Sequence, residues 1–406
     1  MLNILKSAWK TSREFTASLL VSQRRSNVSD EDAQSGAALS PQSILRKRED
    51  LSEQLPRALV AAFNTEPLEP NDPRFVGREE ELAALLDALE DWRNGRASLT
   101  AITAPHGAGI TSLLNQVRSK VQPAEILSCL SLAMRPCSAA EALRLMNSIF
   151  EFEPAPETVS EMVLAIKNSP PRVIIIDDGH MLLSRKMGNM AAVQTIGAIL
   201  VATQHCHCWI VGCAKQAWRR LSFLYQSDRF FNRIIELDYF SAGEMSDIIE
   251  RRFYGLGYEW SERLALEEDK ADPMPAKFKQ LHDISNGLPE MAFFFLLFAM
   301  EKEPDVEAFG LSQFSHLDTG IIKTCSEEEL FSLAEIFVHG VMEHADHETL
   351  FRISPEQSLL RLERLCRAGI LHRIATGEHY TSNSYYLSPI LAQAMVSHLV
   401  LSNRLY

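Results

Sequence analysis

Residues 102–117, ITAPHGAGITSLLNQV, have the outline of a phosphate-binding loop. A short apolar run, residues 99–102, leads into a Gly-containing turn, and a segment with helical periodicity follows. The phosphate-loop signature is G-x-x-x-x-G-K-[ST]. Here Ala104 replaces the first Gly, Ile110 replaces the Lys, and Thr111 keeps the hydroxyl. The stretch therefore predicts a loop that keeps its backbone shape and has lost its cation, with an ordinary strand–turn–helix as the alternative.

The size and composition of the chain indicate a globular protein of two or three domains, with 406 residues of which 46% are hydrophobic. Its net charge of −13 argues against a general nucleic-acid binder, because affinity for phosphates is largely electrostatic. The seven cysteines are irregularly placed and odd in number, which is typical of free thiols in a reducing compartment. No apolar run approaches the length of a spanning helix. We expect a cytoplasmic protein, with peripheral contact at the inner membrane as an alternative.

The N-terminal segment, residues 1–23, predicts an amphipathic helix with a modestly basic face. Two interpretations stay open: the helix contacts a membrane surface or a partner, or it packs on its own domain. Residues 24–70 are interpreted as a disordered linker, because their first part is rich in Ser and charge and poor in aromatic residues. Folded sequence is expected to begin near Phe75.

Apolar runs alternate with helical segments between residues 71 and 240. Residues 172–178, RVIIIDD, and residues 207–213, HCWIVGC, are nearly all apolar, which is typical of strands buried on both faces of a parallel sheet. Further strands are expected at residues 99–102, 126–133 and 231–237. Strands that alternate with helices at this spacing predict a parallel α/β sheet.

The region after Ser241 is expected to contain no strands until the end of the chain. Residues 241–312 predict a small helical lid, and residues 313–406 predict helices followed by one hairpin, the pattern of a winged helix. The helix at residues 354–367 is the candidate reading helix of that domain.

Residues 173–180, VIIIDDGH, predict the second motif of a nucleotide site. They form an apolar strand that ends in two carboxylates. This is the Walker B arrangement, in which Asp177 would hold Mg²⁺ together with Thr111. Asp178 stands where an NTPase usually carries Glu to polarise the attacking water. The alternative interpretation is acidic capping of the segment that follows.

Taken in order, these motifs resemble the AAA+ ATPases of the Orc1/Cdc6 and STAND type. The resemblance covers residues 74–406 and is carried by FVGREEEL (75–82), the loop, VIIIDDGH, RFFNRIIELDYFSAGEMSDIIERRFYGLGY (229–258) and ISNGLPE (284–290). Residues 208–237 are also similar to bacterial AAA+ proteins of poorly defined function, and the core is similar to transposon-encoded target-selection helpers. The resemblance implies a P-loop NTPase sheet of the AAA+ type with a helical lid and a C-terminal winged-helix domain. It implies ATP and Mg²⁺ as ligands, and it maps the nucleotide contacts to Gly107, Ala108, Gly109, Ile110, Thr111, Ser112 and Asp177.

Two further positions depart from the family pattern. The family carries a polar sensor at the end of the strand 207–213, and here Ala214 occupies that place. Lys215 is the neighbouring candidate, but a shift of one residue points a strand side chain to the opposite face. The family's lid motif often ends in Pro-Arg, with the Arg reaching the γ-phosphate, and this chain has Pro289 followed by Glu290.

All the departures from the family pattern affect the same reaction, the transfer of the γ-phosphoryl group. Phosphoryl transfer depends on positioning and on electrostatic stabilisation, and a single well-placed cation is worth on the order of three to five decades of rate. The loop Lys, the polar sensor and the lid Arg are replaced, and Asp178 is one methylene shorter than the usual Glu. We therefore expect a degenerate site that hydrolyses little ATP, and that binds nucleotide weakly if it binds it.

Arginine fingers and metal ions are the remaining candidates. Arg229 or Arg233 would reach a neighbouring subunit's nucleotide as a finger, and surface pairing with Asp228 and Glu236 is the favoured alternative. Residues 204–213, QHCHCWIVGC, lack the spacing of a zinc site. Strand alternation would point their His side chains to one face and Cys206 and Cys208 to the other, so no metal site is expected there.

The winged helix is a candidate DNA-binding element with a weak basic footprint. Six Arg stand against ten acidic residues across residues 327–406. The arginines on and after the candidate reading helix are Arg361, Arg364, Arg367 and Arg373, and the acids beside them are Glu356 and Glu363. Protein contact or autoinhibitory packing is at least as compatible with this composition.

Three functions follow from the sequence. The leading hypothesis is a hydrolysis-deficient AAA+ regulator or adaptor that contacts a protein partner or associates with itself. The first alternative is an active AAA+ ATPase on DNA, a transposition or initiation helper whose missing cation comes from Lys215 or a partner subunit. The second is a membrane-associated ATP-binding protein docked by residues 1–23.

Overall fold

The structure, a computed structural model, describes residues 55–122, 125–132, 135–183, 189–261, 274–302, 308–314, 317–374 and 384–405. The predicted amphipathic helix at residues 1–23 and the first part of the predicted linker lie outside these ranges. Within the described part of the chain, no helix combines the length and the apolarity that crossing a bilayer requires.

A five-stranded parallel sheet forms the centre of the molecule, in the order β2-β3-β4-β1-β5. Its strands are β1 (Leu99–Ala104), β2 (Ile126–Ser131), β3 (Arg172–Asp177), β4 (Cys208–Ala214) and β5 (Arg233–Glu236). The strand that leads into the phosphate loop lies between β4 and β5. This order is that of AAA+ P-loop ATPases, and the predicted fold class is confirmed. Because all the strands run the same way, the loop after β1 meets the ends of β3 and β4 at one edge of the sheet.

Helices cover both faces of this sheet. They are α2 (Glu79–Arg93), α3 (Ile110–Arg118), α4 (Ala139–Phe150), α5 (Val159–Asn168), α6 (Asn189–Thr203) and α7 (Lys215–Tyr225). In β3, Val173 and Ile175 pack with α2 and α3, whereas Ile174 and Ile176 pack with α4, α5 and α6. The apolar run of β3 is continuous because both of its faces are buried.

A short helix, α1 (Arg57–Ala62), and the strap that follows it also belong to the folded unit. Leu59 and Phe63 are buried in the same core as the lid helices. The strap at residues 64–71 is tied to α3: Ser112 Oγ accepts from Leu68 N at 3.0 Å, and Asn115 Nδ2 donates to Leu68 O at 2.8 Å. The sequence assigned residues 55–70 to a disordered linker, and for these residues the prediction is wrong because they are packed and hydrogen-bonded.

The lid contains strands as well as helices. Its helices are α8 (Ala242–Tyr254), α9 (Met274–Ser285) and α10 (Pro289–Ala299), and its strands are β6 (Glu259–Trp260), β7 (Met300–Lys302) and β8 (Ala308–Leu311). The strands form a small mixed sheet in the order β6-β8-β7. Trp260 stacks on Phe253 with ring centroids 3.8 Å apart, which ties this sheet to α8. The expectation that no strands follow Ser241 before the winged helix is therefore wrong.

The C-terminal domain has the arrangement of a winged helix. Its elements are α11 (Glu327–His339), β9 (Val341–Glu343), α12 (His344–Phe351), α13 (Pro355–Arg367), β10 (Leu371–Arg373), β11 (Ser384–Leu387) and α14 (Pro389–Leu401). The strands pair antiparallel in the order β10-β11-β9, and the turn between β10 and β11 lies outside the described residues. A capping box of Ser354 and Gln357 begins α13, the candidate reading helix.

The winged helix shares a hydrophobic core with the nucleotide domain. Ala217 and Leu221 of α7 pack in one cluster with Leu333 and Phe337 of α11. Arg220 on α7 also donates to the buried carboxylate of Glu335 at 2.9 Å. The two domains are therefore joined by apolar and ionic contacts at the edge of the sheet that carries the phosphate loop.

Candidate functional site

The predicted nucleotide residues surround one cavity of about 250 Å³. Strand ends, the phosphate loop, the lid and the strap after α1 all contribute to its wall. The predicted nucleotide residues that line it are Gly107, Ala108, Gly109, Ile110, Thr111, Ser112, Asp177 and Asp178. The sequence therefore identified a set of residues that the fold brings together.

The phosphate loop has the backbone conformation that an anion cradle needs. Gly107 and Gly109 have φ of +79° and +92°, a region that glycine adopts without strain. Gly109 caps α3, and a Cβ placed on it would meet no atom within 4 Å. There is therefore open space beside the N-terminus of α3. A helix N-terminus attracts negative charge, so a phosphate group could bind there.

Thr111 and Asp177 meet directly, as the predicted Mg²⁺ pair should. Thr111 Oγ1 donates to Asp177 Oδ2 at 2.7 Å, and Asp178 N donates to Asp177 Oδ1 at 2.8 Å. A hydroxyl and a carboxylate are oxygen ligands of the kind that Mg²⁺ prefers, beside the waters it retains. The two residues fit a Mg²⁺ ion that arrives with a nucleotide.

Ile110 places an apolar side chain where the signature has Lys. A Cβ on Gly212 would lie 2.8 Å from Ile110 Cγ2 and 3.2 Å from Asp177 Oδ1. Ile110 therefore packs against the bare backbone of β4, close to the carboxylate at the end of β3. The lost cation has been replaced by an apolar contact that depends on the glycine at position 212.

The sensor position carries no polar group. Ala214 lines the cavity at the end of β4, as the sequence register predicts. Lys215 begins α7, is not in the cavity wall, and forms an ion pair with Glu236 at the end of β5. Lys215 therefore does not replace the missing sensor, and that alternative is wrong.

Glu290 faces the phosphate loop. Its Oε2 lies 3.0 Å from the position that a Cβ on Gly107 would take, and it lines the same cavity. The family resemblance places an Arg here, so the sign of the charge over the loop is reversed. The acid does not turn away from the site.

Asp178 is adjacent to the magnesium pair and adopts the left-handed conformation, with φ of +57°. Its carboxylate lines the cavity and is 42% exposed, with His180 Nδ1 at 3.9 Å. The next residue, Gly179, packs tightly against β4. A Cβ on Gly179 would lie 2.7 Å from Gly212 O. The position suits a water-facing carboxylate at the open end of the site.

The two candidate finger residues lie away from the cavity. Arg233 donates to Ala84 O and pairs with Asp91 at 3.3 Å, so it fastens β5 to α2. Arg229 is exposed in the turn before β5. Surface pairing therefore describes Arg233, although its partner is Asp91 and not the predicted Asp228 or Glu236.

Three arginines that sequence reasoning missed also line the cavity, and the first, Arg74, is paired with Asp72 at 2.6 Å. Arg78 is buried, lies 4.0 Å from the Phe240 ring centroid, and donates to Asp238 O at 2.5 Å. Arg252 is buried 4.6 Å from the Phe293 ring centroid and donates to Ala62 O at 2.6 Å. Burial, with the nearby charge of Arg74, lowers the pKa of the Arg252 guanidinium to about 10. Arg78 stands in the quoted FVGREEEL motif, whereas no local pattern marks Arg252.

His207 and Cys208, at the start of β4, are buried residues of the core. His207 is fully buried, accepts from Arg172 N at 3.2 Å and contacts Ile166 O at 3.0 Å. Burial raises the pKa of the Cys208 thiol to about 11 and holds it in the neutral form. Across the ranges that the structure covers, no group of three His, Cys, Asp or Glu side chains is arranged to hold a metal ion.

The winged helix reaches the open end of the nucleotide site. A Cβ on Gly340, at the end of α11, would lie 2.9 Å from His180 Nε2. The rings of His180 and His106 are 5.8 Å apart, so residues of the phosphate loop and of the β3 end meet α11. Arg135 donates to His339 O at 2.5 Å and fixes the same turn.

This contact is expected to weaken in mild acid. Burial lowers the pKa of His180 to about 3 and that of His339 to about 4, so both rings are neutral in the folded protein. Unfolded histidines take up protons below pH ~6.5, so the stabilisation is present above that pH and is lost as the pH falls toward the folded values. Between pH 7.5 and pH 6 we expect a loss of about 1 kcal/mol in unfolding free energy for each ring. Urea unfolding at the two pH values measures it.

His180→Asn and His339→Asn should each flatten this pH dependence. His205→Gln is the matched control, because His205 is exposed before β4, at the opposite edge of the sheet. A pH dependence that is the same in all three variants would contradict the assignment to the two buried rings.

Three arginines on and after the candidate reading helix form ion pairs within the domain. Arg361 pairs with Glu328, and Arg364 pairs with Glu329 at 2.7 Å. Arg373 pairs with Glu363 at 3.5 Å. These guanidinium groups are therefore held by carboxylates of their own domain.

Comparison with known proteins gives a likeness of fold. No family model matches the sequence, and no curated protein matches it. Among solved structures, the ORC2 protein of Aeropyrum pernix, in ADPNP–ADP complexes, is 15% identical over 84% of this chain and 96% of its own, with a TM-score of 0.45. A Walker-type ATPase of Pyrococcus abyssi is 13% identical over 82% and 99%, with a TM-score of 0.45. The RuvB branch-migration motor of Thermotoga maritima is 17% identical over 82% and 99%, with a TM-score of 0.37. At these values the likeness carries no inference about function.

Proposed function

We propose that the chain is an AAA+-type nucleotide-binding protein that hydrolyses ATP poorly and acts as a regulator or adaptor through protein contacts. One observation carries the proposal: the cavity keeps the Thr111–Asp177 pair while Ile110, Ala214 and Glu290 stand where cationic or polar groups are needed. Backbone amides and a Mg²⁺ ion suffice to hold phosphates weakly. Rapid hydrolysis needs positive charge at the transferred phosphoryl group, and this wall offers a carboxylate over the loop.

Protein contact is supported by the exposed apolar side chains. Phe223 on α7 is 87% exposed, and Leu360 on α13 is 73% exposed. Exposed apolar side chains mark sites of protein association when they form a contiguous patch. Leu224 and Leu359, the sequence neighbours of Phe223 and Leu360, are also exposed. On α13, Arg361 and Arg364 are paired with carboxylates and Leu359 and Leu360 are exposed, which favours a protein partner over a DNA backbone.

The hydrolysis part of the proposal has a direct test. Purified protein is expected to turn over ATP far below the usual ATPase rate of about 1 s⁻¹ or more, and Asp178→Asn is expected to leave that rate unchanged. Phosphate release measures the rate, and Asp228→Asn, an exposed acid outside the cavity, is the matched control. Turnover at an ordinary rate that Asp178→Asn abolishes would refute the proposal.

A salt series separates the DNA alternative from this one. Phosphate contacts make DNA affinity fall steeply with salt, so binding that depends on the winged helix would be strongest in low salt. We expect no binding to duplex DNA at 50 mM salt or below. Tight binding that Arg367→Ala weakens would favour the DNA helper instead.

A further inference from the structure

We propose that the ligand of this cavity is a guanine nucleotide and not an adenine nucleotide, and that Arg252 sets this selection by donating to O6 and N7 of the base. The inference rests on the proposed nucleotide binding and names the base.

The first step is that the two ends of the cavity differ in chemistry. Thr111 and Asp177, with the phosphate loop, form the end that suits phosphates. The strap adjoins α3 one residue further on, where Leu68 N donates to Ser112 Oγ. Strap, lid and the segment before α2 add apolar side chains to the wall there, namely Leu68, Phe75, Val76, Ile248 and Phe293. An apolar wall suits the faces of a base, so we call this part of the cavity its nucleoside end.

The second step is that Arg252, which lines the nucleoside end, has donors without acceptors. Its side chain is only 6% exposed, and Nη1 donates to Ala62 O at 2.6 Å. Nε is buried without a hydrogen-bond partner, and among the described residues Nη2 has none either. Asp72, whose charge acts on Arg252, is held by Arg74 through both carboxylate oxygens. A buried donor that lacks an acceptor is costly, so an acceptor on the ligand would stabilise the site.

The third step is the shape of the donor pair. The N–H of Nε and one N–H of Nη2 point in the same direction, and together they form a planar fork. Such a fork matches two adjacent acceptors. Guanine presents O6 and N7 on one edge, whereas adenine presents N7 beside the donor N6–H₂, and a pyrimidine has at most one acceptor on that edge. With adenine, one N–H of the fork would face another donor.

A phosphate group would also match the fork, but the surroundings of Arg252 favour a base. Its guanidinium lies over the Phe293 ring, 4.6 Å from the centroid. Ile248 lies one turn before it on α8 and also lines the cavity. The phosphates of the same ligand are drawn to the N-terminus of α3 and the Mg²⁺ pair instead.

The test compares dissociation constants for the Mg²⁺ complexes of GDP, IDP and ADP, measured by isothermal titration calorimetry on the full-length protein. GDP is expected to bind about tenfold more tightly than ADP, or better, because the fork discriminates at position 6 of the purine. IDP carries the same O6 and N7 without the 2-amino group, so it should stay within about threefold of GDP.

Two variants of Arg252 assign the selection. Arg252→Gln replaces the fork by an amide that both donates and accepts, so the affinities for GDP and ADP should come within about threefold of each other. Arg252→Lys keeps a donor-only group and should keep the preference for GDP. The matched control is Arg251→Gln, because Arg251 is the exposed neighbour on α8 outside the cavity wall.

The outcomes separate this inference from the proposed function. If no nucleotide binds at millimolar concentration, the proposed nucleotide binding fails and this inference fails with it. If ADP binds as tightly as GDP, nucleotide binding stands and the selection of guanine is refuted, whether or not the variants fold. If IDP binds as weakly as ADP, or if a folded Arg252→Gln protein keeps the preference, the assignment to the Arg252 fork is refuted.

Discussion

Ile110→Lys is expected to raise the affinity for Mg²⁺-ATP by ten- to a hundredfold. Ile110 lines the phosphate cavity in the first turn of α3, so a longer side chain at this position reaches the space above the loop. A unit charge about 4 Å from a phosphate is worth roughly 4 kcal/mol at an effective dielectric constant of 20. Desolvation of the ammonium and the neighbouring Asp177 reduce this to about 1.5–3 kcal/mol, and every 1.4 kcal/mol is a factor of ten.

Calorimetry on Ile110→Lys and on Ile110→Met measures this effect. Met has nearly the length of Lys and no charge, so it controls for the loss of the contact between Ile110 and Gly212. Equal affinities in the two variants would contradict an electrostatic origin. A Lys variant that gains nothing would show that Ile110 does not occupy the cation's place.

The gain in binding is not expected to restore rapid hydrolysis. Ala214 still leaves the sensor position without a polar group, and Glu290 still faces the loop. Because positions 110 and 290 act on the same phosphates, Ile110→Lys and Glu290→Arg should not be additive. A double-mutant cycle on the triphosphate affinity reports their coupling.

The residues that sequence reasoning placed correctly have a local signature. The buried strands appear as continuous apolar runs, and the loop and the two Asp residues stand at strand ends. Parallel strands bring their carboxyl ends together, so the meeting of Thr111 with Asp177 follows from the order of the motifs along the chain. Such arguments need no knowledge of distant contacts.

The residues that it missed depend on tertiary contacts. The lid strands are two to four residues long, too short for an alternating pattern to be recognised. Arg252 is one of two consecutive arginines on α8, and only the packing of α1 and α10 around it makes it part of the cavity. Whether Ala214 or Lys215 faces the cavity depended on a shift of one residue in the strand register. The structure decides it, because β4 ends at Ala214 and α7 begins at Lys215.

The strap and α1 are a whole segment that the sequence assigned wrongly. Residues 24–56 have the composition of a linker, and no long apolar run separates them from residues 57–70. Yet four large side chains of residues 55–70 are buried, and the first three of them pack in the same core as the lid helices. They are Leu55, Leu59, Phe63 and Leu68. Composition is an average over a segment, so a few apolar residues that are buried in the fold do not change it enough to be noticed.

A protein that begins at residue 71 is therefore expected not to fold, whereas one that begins at residue 55 is expected to fold. Burying a Leu or Phe side chain contributes about 1.5–3 kcal/mol, so the four anchors together contribute about 6–12 kcal/mol before their ordering entropy. This matches the whole free energy of unfolding of a typical domain, about 5–15 kcal/mol. The shorter protein would also expose Phe293, whose ring lies 5.5 Å from that of Phe63, and leave Arg252 without the carbonyl of Ala62.

Leu59→Ala in the full-length chain gives the graded version of this experiment. Leu59 is fully buried, and a Leu→Ala change in a core costs about 2–5 kcal/mol. We expect a fall of about 3 kcal/mol in the free energy of unfolding, measured by urea denaturation, with Arg57→Ala on the exposed face of α1 as the control. Nucleotide affinity should fall with it, because residues 64–68 of the strap line the cavity. A Leu59→Ala protein as stable as the control would contradict the view that α1 is part of the core, since a side chain without exposed surface cannot be removed from a packed interior at no cost.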